Sequence, residues 1–185
     1  GKVRAIGVSN EDSYGLMKSL WTSDVHGLAR YDTIQNNFSL NNRRFEDELA
    51  ETSRREQVSL LPYSPLAGGV LSGKYNDGKR PEGARFTQYM NADAPRQRAM
   101  AERFANDRCL ESTARFMSIA EEAGLHPVTM AIAWSKQHDF VASTIVGATG
   151  EDQLDVIFDA AGLELAPSVL ERIDEVSAEI RYPMG

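Results

Sequence analysis

Residues 3–10 read Val3-Arg4-Ala5-Ile6-Gly7-Val8-Ser9-Asn10, an apolar run rich in β-branched residues that ends in two polar side chains. A run of this kind, closed by turn-forming residues, predicts a short strand over residues 3–8. Three further apolar runs predict strands over residues 33–36, 58–63 and 141–146. Segments with helical spacing of apolar residues separate them. Short strands that alternate with helices are typical of a parallel sheet with helical crossovers.

The helical segments are predicted over residues 12–21, 43–55, 109–123, 127–137, 151–161 and 168–178. Residues 64–95 are rich in Gly and Pro and are predicted to form a long loop, which in a compact domain is usually functional or disordered. An open doubly wound sheet and part of a (β/α)8 barrel both fit this order. The absence of a GxGxxG motif after the first strand argues against a dinucleotide-binding Rossmann unit.

Composition excludes several classes of partner. The net charge is −7 and the basic residues are scattered, so we expect no nucleic-acid partner. No apolar run approaches the ~18 residues of a membrane span, so no membrane partner is expected. The single cysteine, Cys109, rules out an internal disulfide and suits a reducing compartment, so we expect a cytoplasmic protein. Because the first residues already resemble a strand, we expect the chain to be part of a longer protein.

Polar side chains stand where the predicted strands end. The first strand ends in Ser9 and Asn10, the second in Gln35, and the third in Tyr63. Ligands of parallel α/β folds bind at these carboxyl ends. Hydroxyl and amide groups can meet both the donor and the acceptor of a carboxamide, and a tyrosine ring can stack on a planar ring. Each residue alone could equally cap a helix, but their recurrence at successive strand ends favours a ligand site.

Two features could bind phosphate. Residues 147–150, Gly-Ala-Thr-Gly, open a helix whose amino terminus would attract an anion. An ordinary capping box between Thr149 and Asp152 explains the same residues. Lys74 and Arg85 in the long loop are the candidate basic partners, Arg through its planar donor fork. No metal site is predicted, because the three histidines and the cysteine lack ligand spacing.

Six segments, in this order, resemble the aldo-keto reductase superfamily, most closely the branch of potassium-channel β subunits and their bacterial relatives. They are GKVRAIGVSN (1–10), YDTIQNNFSL (31–40), LLPYSPLAGGVLSGKY (60–75), PEGARF (81–86), HPVTMAIAWSKQ (126–137) and FVASTIVGATGEDQL (140–154). Each segment is modest alone, but the ordered set covers nearly the whole chain and is specific.

The resemblance implies that residues 1–185 form a single domain, the second half of a (β/α)8 TIM barrel. Four parallel strands, their helices, a long loop after the third strand and a C-terminal helix are expected. The implied activity is NADP(H)-dependent reduction of an aldehyde or ketone by hydride transfer. The family's catalytic Asp, Tyr, Lys and His lie in the first half of its barrel, so no catalytic residue is assigned in this chain. The alternative is a non-catalytic half-barrel that forms a homo-oligomer or binds a dinucleotide as a sensor or regulatory module.

The resemblance also implies the roles of individual residues. Ser9, Asn10 and Gln35 would hold the nicotinamide carboxamide, and Tyr63 would stack on the nicotinamide ring. The pyrophosphate loop would comprise Ser64, Pro65, Leu66, Gly68 and Lys74. The adenosine and its 2′-phosphate would contact Arg85, Gly147, Thr149 and Gln153. Val156 and Ile157 stand where the family has polar adenine contacts, so Ile157→Asn is predicted to tighten NADPH binding. The alternative is that Ile157 packs in the core, where a buried asparagine without partners would destabilise the fold.

Overall fold

A three-stranded parallel sheet lies at the centre of the fold in the computed structural model, which describes residues 1–184. The strands are β1 (Gly7–Ser9), β2 (Thr33–Gln35) and β3 (Ser59–Leu60), paired in the order β1-β2-β3. All pairs are parallel, with Ile34 of β2 opposite Val8 on one side and Leu60 on the other. The parallel sheet predicted from the alternation of strands and helices is therefore confirmed, so the strand-end residues meet at one edge.

Eight α-helices are present in residues 1–184. They are α1 (Ser13–His26), α2 (Leu49–Glu56), α3 (Arg85–Met90), α4 (Pro95–Phe104), α5 (Asp107–Glu122), α6 (Pro127–Lys136), α7 (Leu154–Phe158) and α8 (Pro167–Glu179). Short 3₁₀ helices cover Arg44–Glu46, Ala67–Ser72, Asn76–Gly78 and Glu151–Gln153.

The sheet has three strands within the described chain, not the four predicted. Residues 141–146 still run beside β3, since Val141 forms a parallel bridge with Leu60 and the Ile145 amide donates to the Pro62 carbonyl (2.9 Å). Pro62 has no N–H to give back, so the ladder is interrupted beyond β3. The segment therefore occupies the position of a fourth strand without being one.

The long loop after β3 is more ordered than its composition predicts. Residues 64–95 contain 3₁₀ helices and α3, and α4 follows directly at Pro95, where no helix was predicted. Only Ala101 and Phe104 are buried in α4, so its apolar periodicity is too weak to detect. Proline at the first helical position was the remaining sequence signal.

The core is centred on α6, which packs against α5, α7 and the 3₁₀ helix Ala67–Ser72. Residues 128–135 of α6 are all buried, and Trp134 stacks on Phe38 with 4.9 Å between ring centroids. Cys109 of α5 also lies in this core, and burial raises the pKa of its thiol to about 11. At neutral pH this thiol is therefore an inert packing group.

One face of α1 points away from the sheet. Its buried residues are Leu16 and Leu20, whereas Tyr14, Met17 and Trp21 are exposed, with Trp21 55% accessible. Within residues 1–184, β1 pairs only with β2, so its other edge has no strand partner. The molecule thus presents an apolar stripe beside an open sheet edge.

Candidate active site

Four predicted site residues are joined by hydrogen bonds at the carboxyl edge of the sheet. The Tyr63 hydroxyl donates to Asn10 Oδ1 (2.8 Å), and Asn10 Nδ2 donates to Ser9 Oγ (3.1 Å). Ser9 Oγ in turn donates to the backbone carbonyl of Gln35 (3.0 Å). The parallel register places Ser9 opposite Gln35, which explains why residues distant in sequence meet here. We call these four residues the strand-end cluster.

The amide of Gln35 differs from that of Asn10. Both side-chain atoms of Asn10 are engaged within the cluster, whereas the side-chain amide of Gln35 forms no hydrogen bond within residues 1–184. An amide offers both a donor and an acceptor, which is the complement of a carboxamide. Gln35 is therefore the group of the cluster that can bind such a ligand without first breaking an internal hydrogen bond.

The backbone turns sharply beside this cluster. Asn10 and Ser64, which follow β1 and Tyr63, have φ angles of 58° and 54°, in the left-handed region that non-glycine residues seldom adopt. Such conformations cost of order 1 kcal/mol or more each and persist only where neighbouring contacts hold them. The Asn10 amide is held by the Gln35 carbonyl (3.1 Å) and by Asn36 Oδ1 (2.8 Å).

An open groove of about 500 Å³ lies at the strand ends. Asn10, Asn36 and Tyr63 line it from the strand side, and Arg44 and Arg103 line it from the helices. The sequence did not predict the two arginines, because nothing in their spacing separates them from solvated surface. Asn36 could have been predicted as a site residue, because it is a polar residue that directly follows β2.

A second cavity, of about 360 Å³, lies away from the strand ends. Its lining includes Arg43, Asp174 and Arg181, which are already engaged in ion pairs: Arg43 with Glu46 and Asp174, and Arg181 with Asp47. These ion pairs connect α8 and the residues after it to the segment 43–47, which precedes α2.

The predicted pyrophosphate loop is compact. The backbone N–H of Phe86 donates to the Tyr75 hydroxyl (3.1 Å), which brings the segments that carry Arg85 and Lys74 together. Both basic side chains are exposed, and neither forms an ion pair within the described residues. A Cβ on Gly68 would lie 2.5 Å from the Phe86 ring, so this glycine makes room for packing within the loop.

The other loop residues contribute little side-chain chemistry. Pro65 is buried, and Leu66 packs against the hydrophobic core. Ser64 is the half-buried residue that can present a hydroxyl. Any hydrogen bond from these two residues to a phosphate would therefore come from the Leu66 backbone N–H, because proline has none.

Thr149 and Gln153 bond to each other at the proposed adenosine end. The Thr149 amide donates to Gln153 Oε1 (3.2 Å), and Gln153 Nε2 donates to Thr149 Oγ1 (3.1 Å). The capping box predicted between Thr149 and Asp152 is wrong, because the residue one position later supplies the reciprocal group. Gly147 is exposed, with open space where a Cβ would stand.

Ile157 belongs to the core and does not face a ligand. It is 7% exposed and packs in the hydrophobic cluster, and the carbonyl of the preceding residue, Val156, accepts from Thr129 Oγ1 (2.6 Å). The expectation that Ile157→Asn would add an adenine contact is therefore wrong. On a helix this short, the face that meets the core is decided by packing against α6.

We expect Ile157→Asn to lower the free energy of unfolding by about 2–5 kcal/mol, because burial of the side chain is lost and an amide is left without partners. Phe158→Asn is the matched control, since the neighbouring Phe158 is 64% exposed and its replacement should change stability by less than about 0.5 kcal/mol. Urea unfolding of both variants measures the difference. A tighter NADPH complex with unchanged stability in Ile157→Asn would contradict this placement.

Residues 1–184 contain neither a candidate metal site nor a helix that could span a membrane. No group of three or more His, Cys, Asp or Glu side chains is arranged to hold a metal ion. None of the helices is both long enough and apolar enough to cross a membrane.

Comparison with known proteins identifies relatives of the chain. Protein tas of Escherichia coli K12 is 43% identical over 183 residues, which is 99% of this chain and 50% of that protein. A probable voltage-gated potassium channel subunit beta of Arabidopsis thaliana is 34% identical over 137 residues, 72% of this chain and 39% of the relative. Versiconal hemiacetal acetate reductase of Aspergillus parasiticus is 27% identical over 176 residues, 95% of this chain and 48% of the relative.

The chain spans about half the length of the relatives it matches. The resemblance to the potassium-channel β-subunit branch is confirmed, and the chain corresponds to the C-terminal half of the family's barrel. The profile of the Aldo/keto reductase family matches residues 1–178. The protein therefore belongs to the aldo/keto reductase family.

Proposed function

We propose that this chain binds NADP(H) and forms the cofactor-binding half of an aldo-keto reductase that reduces an aldehyde or ketone. The strand-end cluster carries the proposal. The two hydroxyls, the Asn10 side-chain amide and the Gln35 backbone carbonyl form one hydrogen-bonded set at the edge where ligands of parallel α/β folds bind. The free amide of Gln35 and the half-buried ring of Tyr63 match a carboxamide attached to a planar ring.

When bound, the cofactor supplies the hydride, and the residues of this chain orient it. Ser9, Asn10 and Gln35 would fix the carboxamide, and the Tyr63 ring would cover one face of the nicotinamide. Fixing the ring matters because small misplacements of reacting atoms are costly to the rate. Tyr63 is not assigned as the acid, because its hydroxyl donates to Asn10 within the cluster.

The exposed surfaces support the proposal that this half completes a (β/α)8 barrel with four further βα units. The apolar stripe of Tyr14, Met17 and Trp21 and the open edge of β1 lie where such units would pack. The same surfaces favour a second candidate, a half-barrel that pairs with another copy and binds a dinucleotide without catalysis. Light scattering of the purified chain distinguishes a monomer from such a dimer.

The test of cofactor binding is Tyr63→Ala. Loss of the stacked ring should weaken NADPH binding by about 2- to 12-fold or more, because aromatic pairs contribute roughly 0.5–1.5 kcal/mol beyond the area they bury. Tyr63→Phe keeps the ring and should retain most of the affinity. Titration followed by NADPH fluorescence and calorimetry gives the dissociation constants.

Tyr14→Ala is the matched control for the same experiment. Tyr14 is 76% exposed on α1 and takes no part in the strand-end cluster, so its replacement should leave NADPH binding unchanged. Equal weakening by Tyr14→Ala and Tyr63→Ala, or unchanged binding in Tyr63→Ala, would rule out the stacking role.

A further inference from the structure

Asn36, a residue to which neither the family resemblance nor the comparisons give a role, ties the three strand ends together. It follows β2 directly and is half-buried. Its side-chain Oδ1 accepts from the Asn10 amide (2.8 Å), and its Nδ2 donates to the Glu11 carbonyl (3.0 Å). Its own carbonyl accepts from the Tyr63 amide (3.0 Å). The side-chain oxygen and nitrogen of Asn36 therefore both bind the backbone that follows β1, and its backbone carbonyl binds the backbone at the end of β3.

The contact between Asn36 and Asn10 lies at a residue with an unfavourable backbone conformation. Asn10 adopts the left-handed conformation, with φ of 58°, and in that turn its side chain reaches both Ser9 Oγ and the Tyr63 hydroxyl. This conformation raises the free energy of a non-glycine residue, so it persists only where neighbouring contacts stabilise it. Asn36 supplies two such contacts. One is to the backbone N–H of Asn10, and the other is to the backbone carbonyl of the next residue, Glu11.

We infer that Asn36 is a positioning residue that holds Asn10, and through it the Tyr63 hydroxyl, in the geometry that receives the nicotinamide end of the dinucleotide. The inference rests on the proposed function, since it names a further determinant of the same site. Asn36 acts through Asn10 and does not itself stack on the ligand. Its effect is therefore confined to the nicotinamide end of the site.

The experiment compares two ligands that differ only at that end. NADPH carries the nicotinamide, and 2′-phospho-ADP-ribose lacks it. Asn36→Ala should weaken NADPH binding by about 3- to 10-fold, as expected for the loss of a net hydrogen bond or two, and should change binding of 2′-phospho-ADP-ribose by less than about 2-fold. Asn36→Asp keeps the acceptor for the Asn10 amide and should recover part of the lost affinity.

Asn37→Ala is the matched control, because the Asn37 side chain accepts from Asn42 Nδ2 (3.1 Å) and does not reach the segment after β1. It should leave the affinity ratio of the two ligands unchanged. Equal weakening of both ligands by Asn36→Ala, no weakening of either, or the same selective loss in Asn37→Ala would overturn the inference.

A spectroscopic measurement separates this inference from the proposed function. The backbone amide resonance of Asn10 should shift and lose hydrogen-exchange protection in Asn36→Ala but not in Asn37→Ala, with no ligand present. If the unsubstituted chain binds no NADPH, the proposed function fails, and the Asn10 resonance still reports whether Asn36 holds that residue. An unchanged Asn10 amide in Asn36→Ala would overturn the positioning role by itself.

Discussion

The purified 185-residue chain, given NADPH and an aldehyde, should reduce it at least about 10²-fold more slowly than a complete aldo-keto reductase. General acid catalysis is typically worth ~10²–10⁴-fold, and the family resemblance places the acid and its partners in the other half of the barrel. We do not expect the tyrosine of the strand-end cluster to substitute, because the Tyr63 hydroxyl donates to Asn10 and the resemblance gives Tyr63 the role of stacking on the nicotinamide. Loss of NADPH absorbance over a panel of aldehydes and ketones measures the rate.

Tyr63→Phe serves as the control for that assay. It removes the Tyr63 hydroxyl and keeps the ring, so it should leave the residual rate at saturating NADPH unchanged. Turnover at rates usual for enzymes that Tyr63→Phe abolishes would show that this chain carries its own acid, and the assignment of Tyr63 to cofactor stacking would then be wrong.

Acid should destabilise the fold by about 3 kcal/mol between pH 6.5 and pH 4, through His138. Burial, reinforced by the positive charge of Arg43, lowers the pKa of His138 from 6.5 to about 4. The folded state therefore binds its proton less readily than the unfolded chain, so this contribution is complete above pH 6.5 and is lost as the pH falls towards 4. One pKa unit corresponds to about 1.4 kcal/mol, which gives the stated size.

The surroundings of His138 explain why its neutral form is preferred. The ring stacks on Phe140 (5.0 Å between centroids) and meets Trp134 edge-on (4.7 Å), and its side chain is only 19% exposed. Its buried Nε2 has no hydrogen-bond partner in residues 1–184, so a second N–H there would be unsatisfied. Urea unfolding at several pH values from 7.5 to 4.5 measures the loss.

His138→Phe is the informative variant, because it preserves the aromatic packing and removes the titrating group. The decrease in stability between pH 6.5 and 4.5 should become markedly smaller than in the unsubstituted chain. His26→Gln, at an exposed position in the last turn of α1, is the control and should keep the full decrease. The carboxyl groups of Asp139, Glu122 and Glu179 have lowered pKa values through their arginine partners, so their contribution is lost only at lower pH. An unchanged decrease in His138→Phe would exclude His138 as its source.

The sequence by itself determined the order of the three strands and of six of the eight α-helices, the polar strand ends and the family, but it predicted a fourth strand and missed α3 and α4. Apolar runs with β-branched residues form strands wherever they can be buried, and parallel connection makes their carboxyl ends share one edge. The sequence alone therefore predicts that three residues lie near one another, because parallel topology brings strand ends together: Ser9, Gln35 and Tyr63. Gly147 and Arg85 were candidates from their residue chemistry, but only the family resemblance gave them a role at the adenosine, since neither spacing nor composition separates them from ordinary turn and surface residues.

The tertiary structure decided which groups touch and which faces are buried. Helical spacing shows that Tyr14, Met17 and Trp21 share a face, but only the tertiary structure shows that Leu16 and Leu20 are buried in the core whereas that face is exposed. Ile157 likewise changed from a candidate ligand contact to a core residue, because α7 packs on α6. The hydrogen bonds of Asn36 to residues 10 and 11 depend on strand register and on a left-handed turn. Sequence periodicity predicts neither the strand register nor the left-handed turn, because it describes the spacing of residues along one element. The contacts of Asn36 depend instead on how separate elements approach one another in three dimensions.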